Sequence, residues 1–145
     1  MPSRGFIGVR PRTTRRSTNG MTSLPDVIET YIDAYNRKDV DGMMACLSDK
    51  VVFQNIADGQ ITAEAAGRET FREMAEFGAS AFERRRQTVT NTVTVVDTTL
   101  IEVDYSAVVA KDLPNGWKAG QELVFSGASA FRIEDGMIAS IIDES

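Results

Sequence analysis

The second half of the chain consists of long β-type segments separated by short turn sequences, and this arrangement limits the possible folds more than any other feature. Segments rich in valine, threonine and other residues that favour strands cover 89–96, 100–110, 121–133 and 137–143. Typical turn sequences separate the later segments, at Pro114-Asn115-Gly116 and Glu134-Asp135-Gly136. Because strands joined by short turns pair antiparallel, the sequence predicts a run of antiparallel hairpins.

The first half of the chain shows the spacing of amphipathic helices instead. Apolar residues recur every three to four positions and form one stripe: Leu24, Val27, Ile28, Tyr31, Ile32 and Tyr35. The pattern then predicts a short helix over 40–47, a strand over 50–56 with a turn at Asp58-Gly59, and a third helix over 67–84. Helices followed by a run of strands predict an α+β fold, with about three helices packed on a curved, mostly antiparallel sheet.

Arginines cluster at two places in the chain. Five lie in residues 1–20, which contain no acidic residue, although the whole chain has a net charge of −5. We expect this Ser-, Thr-, Gly- and Pro-rich segment to be a disordered basic extension before a single domain over 21–145. The acidic domain disfavours nucleic acid and membranes as partners. The second cluster, Arg84 to Arg86, is interpreted as the solvated end of the third helix, with an anion site as the alternative.

The chain contains no histidine and one cysteine, Cys46. These counts exclude a histidine relay, an imidazole metal site and an internal disulfide, and they fit a reducing cytoplasmic location. Cys46 lies in an apolar helical stretch, so we expect a buried structural thiol. The longest apolar runs are far shorter than the roughly 20 residues needed to cross a bilayer. Acid–base chemistry must therefore come from carboxylates or tyrosine phenols.

The predicted strand over 100–110 has two distinct faces. Its odd positions are apolar throughout, whereas its even positions include Glu102 and Asp104 together with Leu100. The simplest interpretation places the even positions in solvent. The even face nevertheless keeps apolar residues, so we expect helices to cover one face and a partner subunit to cover the other. We predict that Asp104 and Asp143 point the same way from two strands that flank a third.

Two segments carry a likeness to known proteins: Tyr31 followed by Asp39-Val40-Asp41-Gly42, and the late run Phe131-Arg132-Ile133-Glu134-Asp135-Gly136-Met137-Ile138. With the order of helices and strands, they make residues 22–145 resemble the nuclear transport factor 2-like superfamily. More narrowly, the chain resembles its SnoaL-like polyketide cyclase, ketosteroid isomerase and limonene-epoxide hydrolase branch. The resemblance implies a cone-shaped fold with a pocket between helices and concave sheet, and a homodimer formed through the convex face. Because the fold serves many activities, it implies little about the reaction.

Individual positions can be compared with two activities of this branch. Against ketosteroid isomerases, Tyr31 matches the oxyanion-binding tyrosine. The aspartate that shuttles the proton is replaced by Asn55, and the acid that completes the oxyanion hole is replaced by Ser129. The resemblance therefore does not carry the isomerase mechanism to this chain.

The match to limonene-epoxide hydrolases is better. Asn55 stands where that family places a water-positioning asparagine, and Asp104 and Asp143 stand where it places two catalytic aspartates. Phe53 replaces a tyrosine that helps to hold the water, and Glu102 replaces the arginine between the aspartates. Since like charges resist joint ionisation, Glu102 should raise the pKa of at least one neighbouring carboxyl group.

We expect Asp104 or Asp143 to act as the base, on a water held by Asn55 or on the proton of a carbon acid. The other acid, or Glu102, would donate the proton, and Tyr31 would hydrogen-bond a developing oxyanion. Further side chains are expected to line the pocket: Tyr35, Phe53, Glu102, Phe125, Ser129 and Ile141.

The sequence thus predicts a cofactor-independent enzyme that carries out a hydrolase or lyase/cyclase step on a small, largely apolar molecule. No glycine-rich nucleotide motif or redox cysteine pair is present. The carboxylates of Glu102, Asp104 and Asp143 are ligands that suit magnesium or calcium, but closely spaced ligand motifs are absent and we expect no metal. The alternative is a non-catalytic module of the same fold that binds a small ligand or dimerises.

Overall fold

Three helices and six strands are found in residues 24–145, the part of the chain that this computed structural model describes. The helices are α1 (Asp26–Asn36), α2 (Val40–Met44) and α3 (Arg68–Ala81). The strands are β1 (Leu47–Ala57), β2 (Gln60–Ala66), β3 (Phe82–Val95), β4 (Thr98–Val109), β5 (Glu122–Glu134) and β6 (Met137–Glu144). The basic extension predicted over 1–20 lies outside the described residues, and the proposed domain limits stay a prediction.

All six strands form one curved sheet in the order β2-β1-β6-β5-β4-β3. The pairing of β1 with β6 is parallel, and every other pairing is antiparallel. The three helices pack on one side of this sheet, which we call the inner face; the other side is the outer face. The predicted α+β fold with a mostly antiparallel sheet is confirmed.

The turn predicted at Asp58-Gly59 joins β1 to a strand that the sequence did not reveal. Both turn residues have positive φ, 53° and 75°, as in the two-residue hairpin turns that suit twisted strands. Almost all of this second arm, β2, is exposed, and Ala65 is its one buried residue. Its polar and apolar residues alternate from Gln60 to Ala65, but the apolar positions are mostly alanine, which favours strands weakly, and the segment was missed.

The third helix ends earlier than predicted. Helix α3 stops at Ala81, and Arg84 to Arg86 lie inside β3 rather than at a helix end. Successive residues of a strand point to opposite faces, so Arg84 and Arg86 are exposed whereas Arg85 is buried. The interpretation of this cluster as a helix terminus is therefore wrong. Arg84 and Arg86 are solvated as expected, whereas Arg85 is not.

The core lies between the helices and the inner face of the sheet. Helix α1 contributes the stripe predicted from its spacing, including Ile28, Tyr31 and Ile32, and the sheet contributes Phe131 and Ile141. Burial of each such side chain contributes roughly 1.5–3 kcal/mol relative to exposure. Cys46 is buried in this core, as expected of a structural thiol.

Candidate active site

The two predicted catalytic aspartates lie on opposite faces of the sheet. Ile101, Ser129, Asp143 and Asn55 pair directly across four neighbouring strands, and side chains of directly paired residues share a face. Asp143 therefore belongs with the odd, buried positions of β4, such as Ile101. Asp104 belongs to the alternate, exposed positions. The prediction that Asp104 and Asp143 point the same way is wrong. Odd positions of β4 align through β5 with odd positions of β6, whereas Asp104 is at an even position and Asp143 at an odd one.

The outer face holds Asp104 and Glu102, away from the helices. Asp104 pairs with Ser126, whose hydroxyl donates a hydrogen bond to its carboxylate at 3.2 Å. Glu102 accepts a hydrogen bond from the Asn91 side chain at 3.1 Å. Both acids are exposed. Neither the proposed base role of Asp104 nor a pocket-lining position of Glu102 on the inner face fits this placement.

Asp143 is the candidate acid–base residue that the inner face retains. It is half-buried near the end of β6, and its Oδ1 accepts a 2.6 Å hydrogen bond from the Ser129 hydroxyl. Burial raises the pKa of Asp143 from 3.8 to about 6, although the hydrogen bond from Ser129 acts in the opposite direction. A carboxyl group with this pKa can accept and return a proton near neutral pH.

The space around Asp143 consists of two adjacent compartments. The inner compartment, of about 280 Å³, lies between the helices and the sheet. The outer compartment, of about 230 Å³, lies toward the end of the chain and the loop between β4 and β5. It is distinct from the outer face of the sheet, because inner-face residues such as Ser129 and Asp143 line it. Both compartments are lined by the same five side chains: Tyr35, Asn55, Phe82, Gln87 and Asp143. Asp143 can therefore meet a molecule bound in either compartment.

Tyr31 lies on α1 at the inner compartment. Its ring packs edge-on against Phe131 at a centroid distance of 6.0 Å, and the residue is 5% exposed. Burial raises the pKa of Tyr31 well above its usual value, and the negative charge of nearby Asp143 raises it further. No hydrogen bond among the described residues engages its hydroxyl. Tyr31 therefore keeps its proton and can donate it to an acceptor in the cavity.

Asn55 lies on β1 beside Asp143 and lines both compartments. Its Nδ2 donates to the Thr62 hydroxyl at 2.8 Å, and that hydroxyl in turn donates to the Asn55 carbonyl oxygen at 3.2 Å. The missed strand β2 thus fixes the orientation of this amide. No residue in 24–145 bonds to its second N–H or its Oδ1, and both can meet a water or a ligand.

The remaining predicted pocket residues divide between cavity and core. Tyr35 lines both compartments, Phe53 lines the inner one, and Phe125 and Ser129 line the outer one. Ile141 is 1% exposed and belongs to the core beneath the cavity rather than to its wall.

Sequence reasoning missed several residues of the site, including Phe82 and Gln87, which line both compartments. Tyr105 was recognised only as an apolar position, yet its hydroxyl accepts a 3.3 Å hydrogen bond from the Tyr35 hydroxyl. Trp117, in the loop between β4 and β5, brings its ring to 6.3 Å from Phe82 at the outer compartment. Arg85 lines the inner compartment. The alternation of β3 could have revealed Arg85, whereas no sequence signal places a loop tryptophan.

The described residues offer little to a metal ion. Within residues 24–145, no three acidic or cysteine side chains converge in an arrangement that could hold one. In the same range, none of the helices is both long enough and apolar enough to cross a membrane.

An α+β cone whose helices and concave sheet enclose a cavity defines the class of nuclear transport factor 2-like proteins. Residues 28–141 match the family described as the SnoaL-like domain, and the chain belongs to this family. None of the curated proteins compared with the chain is a significant match.

Solved structures with similar folds carry several descriptions. A proposed polyketide cyclase from Xanthomonas campestris pv. campestris is 21% identical, with a TM-score of 0.69 over 82% of this chain and 87% of that one. A proposed polyketide cyclase from Silicibacter sp. is 25% identical, with a TM-score of 0.66 over 86% and 87%. An epoxide hydrolase of the limonene-epoxide hydrolase type from M. tuberculosis is 16% identical, with a TM-score of 0.67 over 83% and 80%.

Proposed function

We propose that this SnoaL-like protein is a cofactor-independent enzyme that moves a proton on a small, largely apolar molecule, with Asp143 as its acid–base group. The observation that carries the proposal is the placement of Asp143. It is a half-buried carboxylate at the junction of two cavity compartments, with a pKa raised to about 6. Perturbed carboxyl groups in clefts are candidates for catalysis.

The proposed step is the removal of a proton from carbon next to a carbonyl group. The Asp143 carboxylate accepts the proton and becomes a neutral acid, while the C–H electron pair moves into an enolate. Tyr31, which retains its own proton, donates a hydrogen bond to the enolate oxygen. The enolate carbon then attacks a second carbonyl group of the same molecule, and Asp143 returns the proton to the alkoxide that forms. The negative charge thus passes from Asp143 to the enolate and back, and no co-reactant is consumed.

A lyase or cyclase step fits this site better than epoxide hydrolysis. Hydrolysis by two carboxylates needs one to activate water and a second to protonate the leaving oxygen. Asp104 and Glu102 are on the outer face. Among the described residues, the other acid that lines a compartment is Glu144, which is exposed and follows Asp143 directly in β6, so its side chain points to the opposite face. A single carboxyl group suffices for a reaction in which one group takes and returns the proton.

Exchange of α-protons tests this proposal without knowledge of the natural substrate. Ketones and β-keto esters with one ring would be incubated with the protein in D₂O, and loss of α-proton signals followed by NMR. We expect faster exchange than in buffer, and a loss of about 10²- to 10⁴-fold in Asp143→Asn. Asp104→Asn, which removes an exposed outer-face carboxylate, is the matched control and should exchange like the wild type. Equal rates in wild type and Asp143→Asn would contradict the proposal.

A second candidate function is a non-catalytic module of the same fold that binds a small ligand or dimerises, the dimer forming through the outer, convex face. The observation that favours it is a row of four paired outer-face positions: Val93, Leu100, Ala130 and Ile142. Leu100 is 51% exposed and Val93 equally so. Light scattering across a concentration series would detect the dimer, and Leu100→Asp should shift it to monomer.

A cytoplasmic location likewise stays a prediction.

A further inference from the structure

We propose that the inner compartment takes a ligand that bears a carboxylate, and that Arg85 binds this group. The inference rests on the proposed function in one respect only: it assigns a substrate class to the same cavity. The expected ligand is an aromatic or alicyclic monocarboxylic acid. Its carboxylate binds at Arg85, and its ring packs among the apolar walls.

The guanidinium of Arg85 is buried, and none of residues 24–145 places a carboxylate beside it. The residue is 5% exposed, and no acidic side chain of the described residues lies within ion-pair distance of it. The other arginines in β3, Arg84 and Arg86, are exposed to water. Because arginine stays protonated in proteins, Arg85 cannot lose its charge to avoid burial. A buried charge without a counterion is strongly unfavourable, which leaves a position for an anion.

The contacts of Arg85 hold the side chain in place and leave part of it open. Its Nε donates to the Tyr35 carbonyl oxygen at 2.9 Å, and Nη2 contacts the Met43 sulfur at 3.8 Å. The guanidinium carbon lies 3.7 Å from the centroid of the Tyr35 ring, a cation–π contact. Nη1 makes no hydrogen bond to any described residue. The head group is therefore positioned in advance, with donors remaining for a ligand.

Contacts among α1, α3 and β3 keep the space beside Nη1 of Arg85 open. The side-chain amide of Asn36, at the end of α1, donates a hydrogen bond to the Gln87 carbonyl oxygen at 3.1 Å. The Oδ1 of Asn36 accepts a hydrogen bond from the Gln87 backbone N–H at 2.7 Å. These two bonds fix β3 against the helix. Gly78 of α3 lines the same compartment beside Arg85, and a methyl group at Gly78 would stand 3.4 Å from Nη1. The absence of a side chain there keeps space beside the free nitrogen.

The other walls indicate what the anion is attached to. Apolar side chains surround the rest of the inner compartment, among them Met43, Phe53, Phe71 and Met74. One cation balances one negative charge, and its planar donors suit the planar carboxylate. A volume of about 280 Å³ fits a molecule with one ring. Asp143 lines the same compartment, so a carbon acid anchored at Arg85 would place its body between the cation and the proposed base.

Binding of acids and their neutral amides tests the inference directly. Benzoate and cyclohexanecarboxylate would be compared with benzamide and cyclohexanecarboxamide by calorimetry and by the fluorescence of Trp117, the chain's one tryptophan. We expect each acid to bind the wild type at least about tenfold more tightly than its amide, a difference of roughly 1.4 kcal/mol. Arg85→Gln should abolish this preference, whereas Arg84→Gln and Arg86→Gln should retain it. Arg85→Lys, with a charge but no planar fork, should retain part of it.

The outcomes separate this inference from the proposed function. Equal affinity of acids and amides for the wild type, no binding of either acid, or a preference that survives in Arg85→Gln would overturn it. If Arg85→Gln fails to fold, the comparison of acids with amides on the wild type decides alone. Preferential binding without any α-proton exchange would support the carboxylate site and contradict the proposed chemistry. Exchange of α-protons in neutral ketones, together with equal binding of acids and amides, would support the proposed chemistry and contradict the carboxylate site.

Discussion

The Ser129 hydroxyl lies 2.6 Å from Oδ1 of Asp143, on the strand position that pairs directly with it. Two opposing influences on the pKa of Asp143 meet in this pair. Burial raises the pKa because the charged form loses its hydration, and the hydroxyl lowers it because it donates to the carboxylate. The balance leaves the pKa at about 6, so both protonation states are populated near neutral pH.

Replacement of Ser129 by alanine should raise the pKa of Asp143. The substitution removes the hydrogen bond that favours the charged form and leaves the burial that disfavours it. The midpoint of the Asp143 carboxyl carbon titration, followed by NMR, should move to higher pH. Ser126→Ala is the matched control because Ser126 donates to Asp104 on the outer face. A midpoint that stays in place in Ser129→Ala would show that the hydroxyl does not tune this group.

The stability contributed by Asp143 should fall as pH rises. Its pKa is higher in the folded protein, about 6, than its ordinary value of 3.8, so the folded state binds the proton more tightly. The contribution is complete below pH 3.8 and is lost as pH rises through about 6. A shift of this size corresponds to an effect on the order of 2–3 kcal/mol.

Urea unfolding at pH 4.5 and pH 7.5 would measure this effect. Asparagine cannot titrate, so the free energy of unfolding of the wild type should fall relative to that of Asp143→Asn between the two pH values. Asp104→Asn corrects for the general effect of one fewer charge. A difference between wild type and Asp143→Asn that is independent of pH would mean that Asp143 has the same pKa folded and unfolded.

The fold could be predicted from the sequence because its signals are local and redundant. The apolar stripe of α1 and the turn at Asp135-Gly136 each specify a piece of structure within a few residues. The exception, β2, is an exposed edge strand whose alanine-rich sequence favours strands only weakly, and its pairing with β1 holds it in place.

The site was predicted less well because it depends on the register between strands. A shift of one residue moves a side chain to the opposite face, and sequence alone did not give the parity of Asp104 relative to Asp143. The same rule places Arg85 inside and its two arginine neighbours outside. Asp143, Asn55 and Tyr31 are found together at the cavity, and their proposed roles stay predictions.

Tyr31→Phe should reduce proton exchange with little effect on stability. The hydroxyl makes no hydrogen bond to the described residues, so its removal leaves no buried partner unsatisfied. Loss of one oxyanion donor commonly costs about 10²- to 10³-fold in rate, and we expect the exchange rate to fall by this order. Tyr35→Phe is the control, because it removes a phenol hydroxyl that already donates its hydrogen bond to the Tyr105 hydroxyl. An unchanged exchange rate in Tyr31→Phe would exclude Tyr31 as the oxyanion donor.

Gly78→Ala should separate stability from ligand binding. Glycine inside a helix is destabilising by roughly 0.5–1 kcal/mol relative to alanine, so the substitution should raise the free energy of unfolding by up to about that amount. The new methyl group would stand 3.4 Å from Nη1 of Arg85 and occupy space that a carboxylate needs. We therefore expect benzoate to bind more weakly to a more stable protein. Ser80→Ala, an exposed change in α3, is the matched control and should leave benzoate affinity unchanged. Benzoate affinity equal to that of the wild type in Gly78→Ala would place the bound carboxylate away from this side of Arg85.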